Sequence, residues 1–191
     1  LIADMSSVIL SEPLEISNFS LVYAGAQKNI GPAGATLVVL KKEILESICR
    51  TVPSMLNYKI HIDKDSMFNT PPVFSVYACM LSLKWLEKKG GIDVVENLNR
   101  KKSELLYSEI DRDDVFSGFA NVDDRSIMNV TFNLSDEKHK DIFDKMLMEN
   151  NISGLNGHRS VGGYRASIYN AMDISSVEIL IDTIKKFKNY I

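Results

Sequence analysis

Two cysteines, no repeat, no block of basic charge and no apolar run of membrane-spanning length are the first things to note in this chain of 191 residues. Each shortage removes a class of protein. Cys49 and Cys79 are too few for a disulfide scaffold and lack the paired spacing of a zinc site, so no metal centre is expected. They read as space-filling thiols in a reducing, cytoplasmic compartment. With 22 basic and 25 acidic side chains interleaved, a net charge of -3 leaves no footprint for nucleic acid or an acidic membrane surface. The longest apolar stretch, Val73 to Leu86, is interrupted by Ser75, Ser82 and Lys84, and falls short of the roughly 20 residues of a membrane helix. It reads as a buried helix. Neither a starting methionine nor a secretory signal precedes Leu1, so the chain reads as an interior piece of a longer protein.

What is present is ordinary globular material, 45% hydrophobic, enough for one core or two small ones, with a small molecule as the expected ligand. Leu1–Met5, Leu21–Ala24 and Ala35–Leu40 are short apolar runs suited to buried strands. From Thr51 to Met67 polar residues dominate without clear period, predicting a long loop. Thr70-Pro71-Pro72 then predicts a helix start, with Thr70 as the cap, and the helix stops at Gly90-Gly91.

That glycine pair is the expected domain boundary, dividing residues 1–90 from a smaller domain of residues 91–191. A polar helix follows over 92–110, with apolar residues at Ile92, Val95, Leu98, Leu105 and Ile110. Val130, Phe132 and Leu134 alternate with polar neighbours as a half-buried strand, and Ile142, Phe143, Met146 and Leu147 mark the next helix. Residues 164–169 predict another strand. Ser175 with Glu178 predicts a capping box for a last helix that turns Val177, Leu180, Ile181, Ile184 and Phe187 inward.

Chemistry concentrates at Tyr23-Ala24-Gly25-Ala26-Gln27-Lys28-Asn29, where a lone lysine sits among small residues at the end of an apolar run. Taken singly, it fits a surface lysine in a turn. It also fits a Schiff-base lysine, whose amine becomes a nucleophile when burial or neighbouring cations disfavour its charge. Asp4 ends its strand either as a turn cap or as a charge partner. Asn69 and Thr70 lie at a helix start, where free N–H groups and the helix dipole are receptive to phosphate, and where an ordinary cap would serve as well. His158, Arg159 and Arg165 surround a glycine-rich loop, either as a solvated basic loop or as an anion site.

Read together, Asp4-Met5-Ser6-Ser7, residues 23–29, residues 66–72 and the run from Gly157 to Asn170 resemble the phosphoserine aminotransferase family, in the right order over nearly the whole chain. This resemblance implies an α/β fold: the C-terminal part of a fold-type I pyridoxal phosphate transferase, comprising the end of the large α/β domain and a small α+β domain. It implies that Lys28 forms the Schiff base with pyridoxal 5'-phosphate and moves the proton between substrate and cofactor. Asp4 would pair with the pyridine nitrogen, and Gln27 would contact the cofactor. Asn69 and Thr70 would reach the cofactor phosphate of the other subunit of a homodimer with shared active sites. Arg165 would fork around the substrate α-carboxylate, and His158 and Arg159 would bind the substrate phosphate. The implied reaction transfers an amino group between glutamate and 3-phosphohydroxypyruvate in serine biosynthesis, and some family members also serve pyridoxine synthesis.

The family's cofactor phosphate loop, its ring-stacking aromatic residue and a further substrate-binding arginine have no counterpart here, so the chain by itself is expected to be inactive. Two other readings share part of the pattern. Another fold-type I aminotransferase or a desulfurase would keep the lysine and aspartate without the phosphate-binding pair. A non-catalytic binding module would use exposed strand edges and no cofactor.

Overall fold

The computed structural model describes residues 1–191, which divide into two compact units, Leu1–Ile92 and Asp93–Ile191. In the first unit the predicted apolar runs form Ile2–Asp4 (β1), Leu21–Gly25 (β2) and Thr36–Leu40 (β3). They make one sheet in that order, β1 parallel to β2 and β2 antiparallel to β3. Val22 and Ala24 point into a core with Met5, Ile9, Ala26, Ile30 and Cys79, while Tyr23 faces out. Parallel pairing places the ends of β1 and β2 side by side, and the turns that follow both strands meet there.

Lys42–Ser47 (α1) follows β3, and the expected loop over 51–67 in fact holds a 3-10 turn, Ser54–Leu56, and a short helix, Tyr58–Asp63 (α2). Local chemistry makes this helix rather than apolar periodicity. The Asn57 side chain caps it by accepting from the Lys59 N–H, and Lys59 pairs with Asp63 at 3.1 Å one turn later.

Val73–Lys88 (α3) departs from expectation in two respects. Thr70 does not cap it: the N-cap position is Pro72, with no side-chain cap bond. A residue before proline is pushed out of the helical region, so Thr70 and Pro71 lie outside the helix, which begins only after the second proline. Nor is α3 a buried helix. Only Ser75, Cys79 and Leu86 are buried along it, while Val73 and Phe74 are 69% and 76% exposed. Its apolar residues run all round the helix, but the rest of this unit meets a single stripe. There the Ser75 hydroxyl donates to the Ala33 carbonyl at 2.9 Å, and Cys79 packs on Gly31.

Gly90 and Gly91 adopt φ values of 105° and 80°, which end α3 and let a new helix start, Gly91–Ile110 (α4). The second unit continues with Phe116–Gly118 (β4), Asn129–Leu134 (β5), Lys140–Glu149 (α5), Tyr164–Ser167 (β6) and Ile174–Tyr190 (α6). β4, β5 and β6 form an antiparallel sheet in chain order. Strict alternation on β5 buries Val130, Phe132 and Leu134, and the five predicted residues of α6 are all buried against them. Phe116, Phe132, Phe143 and Phe187 cluster with ring centroids 4.9–5.6 Å apart at the centre of this core.

The expected capping box of α6 is not formed, because Ser175 lies inside the helix and Asp173 holds the N-cap position without a side-chain cap bond. On α4 the buried stripe is Val95, Asn99, Lys102, Ser103, Leu106, Glu109 and Ile110, whereas Leu98 and Leu105 are exposed. Polar groups with fixed partners have displaced two leucines from the inward face. No helix is long and apolar enough to cross a membrane.

Candidate active site

Asp4 ends β1 and is paired in register with Tyr23 of β2, and Lys28 lies in the turn just beyond the end of β2. Ligands of open α/β sheets bind beyond the carboxyl ends of the strands, because the loops leaving adjacent parallel strands converge there. Lys28 and Asp4 occupy that position.

The turn carrying the lysine is held at several points. Ala26 N–H donates to Ala35 at 3.0 Å, Gly31 N–H returns to Ala26 at 2.7 Å, and the Asn29 amide donates to the Ile9 carbonyl at 3.0 Å. The last bond joins this turn to the one after β1. Lys28 is half-buried, and its Nζ donates to the Ser7 hydroxyl at 2.5 Å. A Cβ on Gly25 would lie 2.5 Å from the Gln27 amide oxygen, so the glycine leaves the space over which that exposed side chain folds.

The surroundings of Asp4 favour its anion. Its Oδ1 accepts from the Ser6 hydroxyl at 2.6 Å and from the Ser6 N–H at 2.9 Å, and the Tyr23 phenol beside it also favours the anion. These bonds, Ser6 foremost, hold its carboxyl below the usual carboxylate range, with a smaller contribution from the nearby Lys28 charge. Tyr23 responds oppositely: the Asp4 charge beside it raises its phenol above the ordinary value. The Ser6 hydroxyl also accepts the Gly25 N–H at 2.9 Å, so one serine ties the aspartate to the end of β2. Ser6, Ser7 and Tyr23 were not singled out by sequence reasoning. An aspartate followed two residues later by serine at a strand end is the available signal, since that spacing forms a side-chain-to-backbone turn.

None of these hydrogen bonds involves Asn69 or Thr70. Both are exposed, and the Asn69 amide donates to the Thr70 carbonyl at 3.3 Å. They precede α3 without capping it, so they stand at its N-terminal approach rather than on its first turn.

In the second unit, β6 alternates Tyr164, Ala166 and Ile168 inward with Arg165, Ser167 and Tyr169 outward. Arg165 is thereby exposed on the sheet face opposite the core, in register with Thr131 of β5, and its N–H donates to Leu155 at 2.7 Å. His158 and Arg159 are exposed on the glycine-rich loop just before β6. His158 and Arg165 line one cavity of 210 Å³, walled also by Thr131 and Asn133. The chain thus brings Asp4, Gln27 and Lys28 together in one unit and His158 and Arg165 together in the other.

Behind β6, Lys102 of α4 is 2% exposed and donates to the carbonyls of Ile168, Tyr169 and Met172 at 2.9, 2.9 and 3.1 Å. All three ammonium protons are used on the turn that leaves β6, the strand bearing Arg165. Burial lowers its pKa to about 8, against a partial offset from Asp173. A buried charge on an otherwise amphipathic helix leaves no trace in hydrophobic periodicity, which is why sequence reasoning passed over it.

Fold and site define a class. Solved phosphoserine aminotransferases superpose on the whole chain with a TM-score of 0.95 at 46% identity, and that from Bacillus circulans subsp. alkalophilus with 0.94 at 44% over 99% of it. This chain covers 53% of each of those chains. Residues 1–180 match the aminotransferase class-V family, and the chain belongs to that family. The phosphoserine aminotransferase of Flavobacterium psychrophilum is 55% identical over 190 residues, all of this chain and 53% of the relative. That of Flavobacterium johnsoniae is 58% identical over 188 residues, 98% of this chain and 53% of the relative. The chain therefore spans about half the length of the curated relatives it matches. Expectations of a mixed α/β fold and of this family hold.

Proposed function

We propose that the protein containing this chain is a phosphoserine aminotransferase that uses pyridoxal phosphate and exchanges an amino group between glutamate and 3-phosphohydroxypyruvate. The observation that carries the reading is the placement of Asp4 at the end of one strand and Lys28 beyond the end of its parallel neighbour. The residues fit the cofactor. A carboxylate kept ionised by Ser6 suits a protonated pyridine nitrogen, and a half-buried amine in a turn pinned by Asn29 suits covalent attachment. When bound, the cofactor supplies an electron sink for the substrate carbanion.

Lys28 would hold the cofactor covalently and, once released, its Nζ would serve as the base that takes the proton from the substrate α-carbon and carries it across for the amino transfer. The Ser7 hydroxyl, 2.5 Å from Nζ, orients that amine. Asp4 carries the negative charge, which the Ser6 hydroxyl and N–H stabilise, while Gln27 adds a neutral contact. Arg165 forks around the α-carboxylate, and His158 with Arg159 binds the substrate phosphate. Asn69 and Thr70 complete a cofactor phosphate site in a homodimer with shared active sites. In this reading residues 1–90 belong to the cofactor-binding domain and residues 91–191 to the small domain.

With pyridoxal phosphate added, the visible absorbance of a lysine Schiff base is expected, and Lys28→Ala is expected to abolish it together with glutamate-dependent turnover of 3-phosphohydroxypyruvate. Turnover that survives Lys28→Ala, or intact holoenzyme inactive on this substrate pair, would overturn the reading. Alanine at both His158 and Arg159 is expected to weaken the phosphorylated keto acid far more than hydroxypyruvate.

A further inference from the structure

The loop that carries His158 presents its ring in one tautomer. The Ser160 N–H is directed at His158 Nδ1 at 3.3 Å, and the Ser160 hydroxyl lies 2.7 Å from the same nitrogen. An N–H aimed at a ring nitrogen needs a lone pair there, so Nδ1 carries no proton and the hydroxyl donates to it as well. In a neutral imidazole the proton then sits on Nε2. The arrangement is built into the loop. Gly157 N–H donates to Gly163 at 2.8 Å, and the N–H groups of Val161 and Gly162 both return to the His158 carbonyl at 2.9 and 2.8 Å. A Cβ on Gly157 would lie 1.8 Å from the Gly162 oxygen, so the loop closes this tightly only with glycine.

We infer that Ser160 is a positioning residue that holds His158 in the tautomer whose Nε2–H is a donor toward the substrate phosphate, with Arg159 supplying the fixed positive charge of that contact. This rests on the phosphate reading of the loop given above. A proton on Nδ1 would face the Ser160 N–H, whereas the Nε2–H tautomer accepts from it and still offers one directed donor to a phosphate oxygen. Arg159, adjacent in the chain, provides the charge and the fork geometry that an imidazole lacks.

The test is nitrogen NMR of the labelled imidazoles in the intact protein, read at about pH 8 where an ordinary histidine is neutral. His61, His139 and His158 are the chain's three histidines, and a His158→Gln sample assigns the last. A lone-pair signal at Nδ1 and a protonated signal at Nε2 are expected; Ser160→Ala keeps the backbone N–H but loses the hydroxyl, so it should admit a minor population of the other tautomer, and Ser160→Thr should keep the ring single. In steady-state assays Ser160→Ala should raise KM for 3-phosphohydroxypyruvate roughly fivefold, the loss of about one hydrogen bond, with kcat and the KM for hydroxypyruvate nearly unchanged. Threonine should restore it. A protonated Nδ1 in the unaltered protein, or Ser160→Ala that moves neither tautomer nor KM, overturns the inference. If Arg159→Ala weakens phosphorylated and non-phosphorylated keto acids equally, the phosphate reading itself fails, and the NMR result still decides the tautomer.

Discussion

Serine is the residue that organises both polar clusters, each time by donating to a side chain two positions before it. Ser6 does so for Asp4 and Ser160 for His158, and in both pairs the backbone N–H of the serine joins its hydroxyl. Replacing Ser6 with alanine removes the hydroxyl but keeps the N–H at 2.9 Å, so the Asp4 pKa should rise toward the ordinary carboxylate range without reaching it. Carboxyl carbon NMR across an acid titration checks this, and an unmoved or lowered Asp4 would contradict it.

Lys102 is a second test at this scale. Lys102→Met leaves three carbonyls short of a donor and also removes a buried charge; losing the donors should dominate, destabilising the protein by about 2 kcal/mol at neutral pH. In the folded chain its pKa is lowered from 10.5 to about 8, so between these values the unfolded chain binds more protons. Stability contributed at this site therefore rises with pH across that window, and the gap between native and Lys102→Met melting temperatures should widen there. A gap that narrows from pH 8 to 10.5 would refute the burial argument.

Among the elements, α3 shows how a helix can be anchored by one close contact. A Cβ at Gly31 would meet Cys79 Sγ at 2.7 Å and Cys79 Cα at 3.0 Å. Gly31→Ala should therefore cost about 1–3 kcal/mol by overpacking. Adding Cys79→Ala relieves the sulfur contact but not the backbone one, so the double variant should recover only part of the loss in denaturant titrations; full recovery would show that the helix backbone is free to shift. The same element explains why turn chemistry outranked capping propensity. Thr70 has a good cap side chain, yet the two prolines behind it keep it outside the helix.

For the molecule as a whole, two separate cores divide the labour. The first unit has a small core of Met5, Ile9, Val22, Ala24, Ala26, Ile30 and Cys79 beneath the lysine turn. Its neighbour has the larger aromatic core that supports β6 and its outward arginine. Phe143 is fully buried and touches Phe116, Tyr164 and Phe187. Phe143→Ala should cost about 3–5 kcal/mol and should appear in amide exchange as lost protection over residues 93–191, with residues 1–92 retaining theirs. Equal loss in both would mean that the units unfold as one.

The positions of β1, β2, β3, β5 and β6 and the inward face of α6 were readable in the amino-acid order, because side-chain periodicity is a local signal, whereas the short β4 was not. Asp4, Lys28 and the cations of the loop before β6 stood out as candidates only when their motifs were read together as a family resemblance; taken singly, each also fitted a turn or a solvated loop. What joined them was invisible there. Parallel pairing of β1 with β2 brings residues far apart in sequence to one sheet edge, and only the folded chain shows Ser6, Ser7 and Asn29 fastening the two turns. The stripe of α3 that packs, the unused cap at Thr70 and the charge buried at Lys102 were likewise decided by tertiary contacts. Burial is a property of what a side chain meets, and a buried ammonium or an exposed phenylalanine follows from partners the local sequence does not contain.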